Sequence, residues 1–184
     1  MKELSLHILD ISQNSVKAGA GRIGVTVDEQ PRRNTLTITI TDNGCGMTPE
    51  FVEKVIDPFT TTRTTRKVGL GVPFFRQAAL QTGGHFEINS TVNVGTEVVA
   101  VFVYDSIDRM PLGDMPATFV TLLGSAPEVD WVFTHRYCDQ EYRFSSAEIE
   151  QELGKIDYTA PEIIAWLKEY FDEQKENLYG GNYS

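Results

Sequence analysis

An acidic residue ends an apolar strand pattern near the start of this sequence. Leu36, Ile38 and Ile40 alternate with threonines, and Asp42 falls on the same parity as these apolar residues. Because side chains of one parity point to one face of a sheet, Asp42 is predicted to face the interior. A carboxylate placed there needs hydrogen-bond donors, so the fold must supply them.

A glycine-rich segment, residues 42–47, follows directly from this strand. Its Asn43-Gly44 pair is a strong turn signal, and a simple turn would account for the glycines. A turn does not account for an acid that faces inward. The segment is therefore a candidate binding site as well as a turn.

Hydrophobic periodicity predicts the elements around this segment. Apolar or small residues recur every three or four positions over 3–18, which indicates a helix. Alternation predicts a hairpin with strands at 23–27 and 36–40 and one face toward solvent. Further elements are expected as a short helix from Thr48 to about Val55, a loop over 60–67, a helix over 73–81, and strands over 86–90 and 97–104.

A joint that contains proline and glycine, residues 111–116, separates this unit from the rest of the chain. Beyond it the pattern predicts strands over 118–123 and 131–137. Ser145 with Glu148, and Thr159 with Glu162, have capping-box spacing, and the last helix is expected over about 161–175. We therefore expect a first domain of residues 1–106 and an extension of residues 107–184, two strands and then two helices, packed on it. The sequence does not decide whether the extension lengthens the sheet, dimerises or holds a partner.

Composition excludes several classes of protein. The 184 residues, 41% of them hydrophobic, are enough for one globular core. The net charge of −10 argues against nucleic acid or an anionic membrane as a partner, and no apolar run approaches the roughly 18 residues of a membrane span. Cys45, Cys138 and the histidines share no short ligand spacing, so neither a disulfide framework nor a zinc site is expected. These features favour a cytoplasmic protein.

The first predicted helix carries a polar face beside its apolar stripe. His7, Asp10, Asn14 and Lys17 recur at spacings of three, four and three, so they lie on one side of the helix. Such a face is, by itself, more typical of solvated helix surface. It becomes informative only together with the inward-facing acid.

Taken together, these features resemble the GHKL superfamily of ATP-binding domains, named for gyrase, the heat-shock chaperone, histidine kinases and MutL. The resemblance covers about residues 4–104 and rests on five elements in the family's order, which is a strong signal. They are an N box (10–20), a DxGxG box (42–47), an F box (56–63), a glycine box (68–72), and closing elements at 82–84 and 95–97. The resemblance implies the Bergerat fold, an α/β (α+β) two-layer sandwich with a mixed, mostly antiparallel sheet and helices on one face.

The resemblance also implies roles for individual residues. Asn14 would bind the Mg²⁺ that bridges the ATP phosphates, and Lys17 would face those phosphates. Asp10 occupies the position of the glutamate that activates water in hydrolytic members, and its shorter side chain must lie about 1 Å closer to that water. Asp42 would accept a hydrogen bond from the adenine amino group, and Thr96 would help hold that acid. Other implied nucleotide contacts are Gly44, Gly46, Met47, Phe59, Arg63, Lys67, Gly69, Leu70 and Gly71.

The chain also departs from longer members of the superfamily. Nine residues precede Asp10, too few for the phosphoacceptor hairpin of a histidine kinase, and residues 107–184 are too few for a full MutL-type transducer domain. In the glycine box a basic residue, Arg66 or Lys67, replaces the family's usual leading glycine. The expected function is therefore a stand-alone Mg-ATP-binding domain that phosphorylates or switches an unidentified partner protein. An ATP-hydrolysing conformational switch and a non-catalytic nucleotide sensor or scaffold are the alternatives, and a homodimer is a further candidate assembly.

Overall fold

The computed structural model describes residues 2–59 and 70–180. The elements of the first part are α1 (Leu4–Lys17), β1 (Arg22–Gln30), β2 (Thr35–Asp42), α2 (Pro49–Ile56), α3 (Gly71–Gln81), β3 (His85–Thr91) and β4 (Gly95–Val103). The remaining elements are α4 (Met115–Ser125), β5 (Asp130–Tyr137), β6 (Gln140–Ser145), α5 (Ser146–Leu153) and α6 (Pro161–Gly180). The helices and strands predicted up to residue 104 are confirmed within a few residues at their ends.

The six strands of the described chain form one sheet in the order β3-β4-β2-β1-β5-β6. Neighbouring strands are antiparallel except β1 and β5, which run parallel. The predicted fold class, a mixed and mostly antiparallel sheet with helices, is therefore confirmed. Because β5 pairs with β1, the extension continues the sheet of the first domain. The division of the chain at residue 106 remains a prediction.

One face of the sheet carries the core. Val25 pairs with Ile40 on one side and Phe133 on the other, and all three side chains are buried. Helix α1 contacts β1 and β2, α3 contacts β4, and α6 contacts β5 and β6, so helices cover this face. The opposite face carries the threonines of β2, which are more exposed than the apolar residues between them. This alternation explains why β2 reads as a half-buried strand in the sequence.

Helix α1 packs its apolar stripe against the sheet. Leu4, Ile8 and Ile11 are buried, and Gly19 ends the helical segment with a φ of +77°. On the polar face of α1, His7 is buried and not solvated, since it is 2% exposed. The imidazole stacks on Phe75 of α3, with ring centroids 5.5 Å apart. The N-terminal part of this face, at His7, therefore belongs to the α1–α3 interface.

The prediction of a strand over 118–123 is wrong, because these residues lie in α4. The aromatic and β-branched residues of this stretch favour a strand locally. Helical spacing prevails because Phe119, Leu122 and Leu123 all reach the core from one side of a helix. The helix start is fixed by Asp114, whose Oδ1 accepts the backbone N–H of Ala117 at 3.0 Å.

The end of the chain differs from the prediction in detail. Strand β6 is an additional element between β5 and the helices. Ser145 is confirmed as the N-cap of α5, since its Oγ accepts the N–H of Glu148 at 3.3 Å, while the Glu148 carboxylate bonds to Arg143. At Thr159 the hydroxyl instead donates to Asp157 at 2.6 Å, and α6 extends past the predicted end to Gly180. Across residues 2–59 and 70–180, none of the helices combines the length and apolar character that crossing a bilayer requires.

A buried polar cluster ties α6 to the sheet. Glu29 of β1 accepts hydrogen bonds from His135 Nε2 at 2.8 Å and from the hydroxyl of Tyr179. Its second oxygen accepts from Tyr104 at 3.3 Å. Burial, reinforced by the Glu29 carboxylate, raises the pKa of Tyr104 to about 12 and also raises the pKa of Tyr179. We call these four residues the Glu29 cluster.

Candidate nucleotide-binding site

The inward orientation predicted for Asp42 is confirmed, and both of its oxygens have donors. The Ser15 hydroxyl of α1 donates to Asp42 Oδ2 at 2.6 Å. The Gly44 N–H donates to Oδ1 at 2.9 Å. A half-buried carboxylate is thereby held in one orientation at the end of β2, with lone pairs left over for a further donor.

Backbone hydrogen bonds fix the glycine-rich segment that follows. The Cys45 N–H donates to Ala18 O at 3.0 Å, and the Asn93 N–H donates to Cys45 O at 2.8 Å. The segment is thus held between the end of α1 and the β3–β4 turn. Gly46 has a φ of +68°, and a Cβ there would overlap the carbonyl oxygen of Thr91. Only glycine fits this backbone path, which explains the residue type that the motif requires.

Met47 and Thr96 meet through a serine next to Asp42. The Met47 N–H donates to Ser90 Oγ at 2.8 Å, and Ser90 Oγ lies 2.7 Å from Thr96 Oγ1. Thr96 is paired with Asp42 across β2 and β4, so both side chains lie on the same face. Among the described residues the Thr96 hydroxyl bonds to Ser90, while Asp42 is held by Ser15. Thr96 is therefore adjacent to the acid without bonding to it directly.

Asp10, at the middle of α1, lies against the start of α3. A Cβ added to Gly71 would overlap the Asp10 carboxylate, so this glycine allows the two helices to approach. Leu70 is the residue that precedes α3 and is partly exposed. The first N–H groups of a helix point outward and bind anions, phosphate included. The carboxylate of Asp10 thus lies beside a place where phosphate could bind.

Asn14 lies on α1 between Asp10 and Ser15. Its Nδ2 is buried and has no hydrogen-bond partner among the described residues. An amide that lacks an acceptor suits a site completed by a phosphate, and oxygen donors such as Asn14 and Asp10 suit Mg²⁺. Lys17 is exposed one turn further along the same face. From Asp10 to Ala18, the C-cap residue of α1, the helix rises about 12 Å. One helix therefore connects the start of α3 with the glycine-rich segment that follows Asp42. We call this surface, lined by Asp10, Asn14, Asp42 and Gly71, the α1 site.

His7 lies one turn from Asp10, deeper in the α1–α3 interface. Neither of its ring nitrogens has a hydrogen-bond partner in the part of the chain that the structure describes. Burial lowers the pKa of this imidazole, and the nearby Asp10 carboxylate opposes the effect. The ring is therefore neutral near pH 7.

Some predicted site residues are not brought together with the others. Phe59 is 93% exposed, and its N–H donates to Asp57 Oδ1 at 2.8 Å. Arg63, Lys67 and Gly69, and the predicted loop over 60–67, lie outside the described residues. Their roles remain predictions from the resemblance.

Two residues of the site have no role in the sequence prediction. Ser15 appears in the sequence only as a small residue in the apolar stripe of α1, and Ser90 only as the end of a strand. Ser15 bonds to a residue 27 positions away, and Ser90 to Met47, 43 positions away. A polar residue within an apolar stripe is the one available signal, since a buried hydroxyl needs a partner.

A scan against protein families gives a match over residues 2–106 to the family described as histidine kinase-, DNA gyrase B- and HSP90-like ATPase. The match covers the helix, the hairpin and the glycine-rich segment that build the α1 site. The chain belongs to this ATPase family.

Relatives within this family include sensor kinases. The chain is 27% identical over 133 residues to the CAI-1 autoinducer sensor kinase/phosphatase CqsS of Vibrio cholerae, covering 71% of this chain and 19% of that protein. It is 25% identical over 101 residues to the histidine protein kinase SaeS of Staphylococcus aureus, covering 52% of this chain and 28% of that protein. The chain therefore spans only a minor part of the length of these curated relatives.

A solved structure with a similar fold is the Aquifex aeolicus MutL ATPase domain complexed with ADP. The superposition covers 84% of this chain and 68% of the MutL chain, with a TM-score of 0.50 and 15% sequence identity. At this identity the similarity concerns the fold. It extends beyond residue 106, into the part of the chain that the family match does not include.

Proposed function

We propose that this chain binds Mg-ATP and regulates a partner protein, by phosphorylating it or by switching it through the nucleotide state. The observation that carries the proposal is the arrangement along α1. Near the C-terminal end of α1, Ser15 bonds to the inward-facing Asp42, and at the middle of the helix Asp10 contacts Gly71 at the start of α3. An acceptor for a base, on β2, and an anion site for phosphates, at the start of α3, therefore both adjoin α1.

In this proposal the base binds at Asp42. The carboxylate accepts the adenine amino group, and the fixed segment containing Gly44, Gly46 and Met47 lies beside the ring. Thr96 supports this end through its bond to Ser90 at 2.7 Å. An acceptor at this position favours a 6-amino purine over a 6-oxo purine, because two acceptors facing each other repel.

The phosphates bind between Asn14 and the start of α3. Asn14 would hold the Mg²⁺ through its amide oxygen, and this ion would neutralise charge on the phosphates. Leu70 and Gly71 border this end, and Gly69, Arg63, Lys67 and Phe59 would be added from the neighbouring segment. Lys17 lies one turn beyond Asn14 and would reach the phosphates with its long side chain. Among the described residues Asn14 Nδ2 has no hydrogen-bond partner, which supports a phosphate oxygen as its acceptor.

The partner is proposed to be a protein in the cytoplasm, with a second copy of this chain as the alternative. The relatives named as sensor kinases support a role in signal transduction. The extension, residues 107–184, is proposed to transmit the nucleotide state because it touches α1. The Leu4 N–H donates to Pro111 O at 3.0 Å, and Gln13 Nε2 donates to Ser125 Oγ at 3.0 Å.

The experiment is to incubate the protein with Mg-ATP labelled on the γ-phosphate, together with proteins encoded next to it. Label on one of these proteins, absent with Asn14→Ala, supports phosphorylation. Binding of Mg-ATP by calorimetry without any transfer leaves switching or a non-catalytic sensor. Absence of binding by the folded wild-type protein contradicts the proposal.

ATP hydrolysis is a second candidate function, favoured by the position of Asp10. Its carboxylate contacts the start of α3, where a general base would reach a water beside the terminal phosphate. Free phosphate released by the wild-type protein and lost with Asp10→Asn would support hydrolysis. Equal release by both proteins would exclude Asp10 as the base.

A further inference from the structure

Ser15 makes the shortest link between α1 and the strand acid. Its side chain is 5% exposed, and its hydroxyl donates to Asp42 Oδ2 at 2.6 Å. The other oxygen of Asp42 is held by the Gly44 N–H at 2.9 Å. These two donors come from different elements, so together they fix both the position and the rotation of the carboxylate.

A second serine on the same helix provides a contrast. Ser12 is 0% exposed, and its hydroxyl has no hydrogen-bond partner among the described residues. Helix α1 therefore packs against the sheet with a buried serine whose hydroxyl holds nothing. The bond of Ser15 is consequently a specific feature of the Asp42 end rather than a general requirement of α1.

We propose that Ser15 is a positioning residue for base recognition, and that its hydroxyl orients the Asp42 carboxylate to select 6-amino purine nucleotides over 6-oxo purine nucleotides. This inference rests on the proposed binding of Mg-ATP. A hydrogen bond to an ionised acceptor depends strongly on direction, so an acid free to rotate would discriminate less well. Removal of the hydroxyl leaves the carboxylate in place and releases its orientation.

The experiment compares Ser15→Ala with Ser12→Ala, which removes an equally buried hydroxyl one turn away. Calorimetry measures the affinity of each folded variant for Mg-ATP and for Mg-inosine triphosphate, which carries an oxo group at the 6-position. Ser15→Ala is expected to weaken ATP binding roughly ten-fold and to change binding of the inosine nucleotide much less. The ratio of the two affinities therefore falls about ten-fold. Ser12→Ala leaves both affinities unchanged.

A variant that keeps the hydroxyl separates positioning from packing. Ser15→Thr retains the donor and is expected to restore the ATP preference that Ser15→Ala loses. Equal weakening of both nucleotides by Ser15→Ala would overturn the inference, since it would indicate a general packing defect. Unchanged affinities for both nucleotides would also overturn it while leaving the proposed function intact. Absence of nucleotide binding by the wild-type protein would instead contradict the proposed function, and the inference with it.

Discussion

The inner face of the sheet carries a strand carboxylate at each end, and the two carboxylates are held differently. Asp42 lies opposite Ile23 of β1, and Glu29 lies six residues further along that strand, about 20 Å away. Each accepts a hydroxyl from a helix, Ser15 of α1 or Tyr179 of α6. The Glu29 cluster surrounds its acid with three side-chain donors, whereas Asp42 has one side-chain donor and one backbone N–H.

The surroundings of the two acids differ in how far they are closed to solvent. Glu29 is 6% exposed and is covered by the last helix of the described chain. Asp42 is half-buried, and its two recognised donors leave lone pairs for a further one. Among the described residues, buried atoms without a hydrogen-bond partner occur near both acids: Asn14 Nδ2 and the His7 ring near the α1 site, and His135 Nδ1 in the Glu29 cluster. Exposure, and not the unpartnered atoms alone, therefore distinguishes Asp42 as the acid that a ligand can reach.

The largest expected effect is a loss of stability when the Glu29 cluster is broken. Glu29→Ala leaves the donors of His135, Tyr179 and Tyr104 without their acceptor, which should lower the free energy of unfolding by about 4 kcal/mol. Urea denaturation measures this loss. The affinity of the remaining folded protein for Mg-ATP should be unchanged. A loss below about 1 kcal/mol would break the comparison, because Glu29 would then not be structural.

The matched change at Asp42 should have a large effect on nucleotide affinity and a small effect on stability. Asp42→Ala is expected to weaken Mg-ATP binding roughly 100-fold, about 2.7 kcal/mol, because the acceptor for the base is removed. The free energy of unfolding should fall by only about 1 kcal/mol, since water can reach the freed donors. Calorimetry and urea denaturation on the same preparation test both values. Undiminished ATP binding by the folded variant would contradict the role of Asp42.

A smaller effect is expected for the hydroxyl that closes the Glu29 cluster. Tyr179→Phe removes one hydrogen bond to a carboxylate and should lower the free energy of unfolding by about 2 kcal/mol. Tyr170→Phe is the matched control on α6, with a ring that packs on Phe171 and an expected cost near zero. Equal losses for the two variants would show that the Tyr179 hydroxyl has no special role.

The smallest effect concerns pH and the histidine beside the α1 site. Burial lowers the pKa of His7 from its usual 6.5, so the unfolded chain takes up a proton that the folded chain does not. Stability from this group is complete above pH 6.5 and falls as the pH drops toward the lowered pKa. Between pH 6.5 and 5 the wild-type protein should therefore lose more of its free energy of unfolding than His7→Phe. Parallel pH profiles for the two proteins would contradict this assignment.

The sequence predicts the first domain well because its signals are local. Alternation in β2 places Asp42 on the inner face, and the glycines mark the segment that follows. The bond between Ser15 and Asp42 could not be predicted, since it depends on how α1 packs across β2. Helix α4 could not be predicted from local propensity either, because its Phe119 and Val120 favour a strand. Capping by Asp114 and burial against α1 and α6 favour the helix that forms.

One nucleotide is proposed to bind along α1, with its base at Asp42 and its phosphates near Gly71. Amide chemical shifts recorded by NMR during a titration with Mg-ATP test this arrangement. The amides of Gly44, Met47 and Gly71 are expected to shift together with one dissociation constant, while those of Glu29 and His135 remain unchanged. Shifts confined to the Glu29 cluster, or to one end of α1 alone, would contradict it.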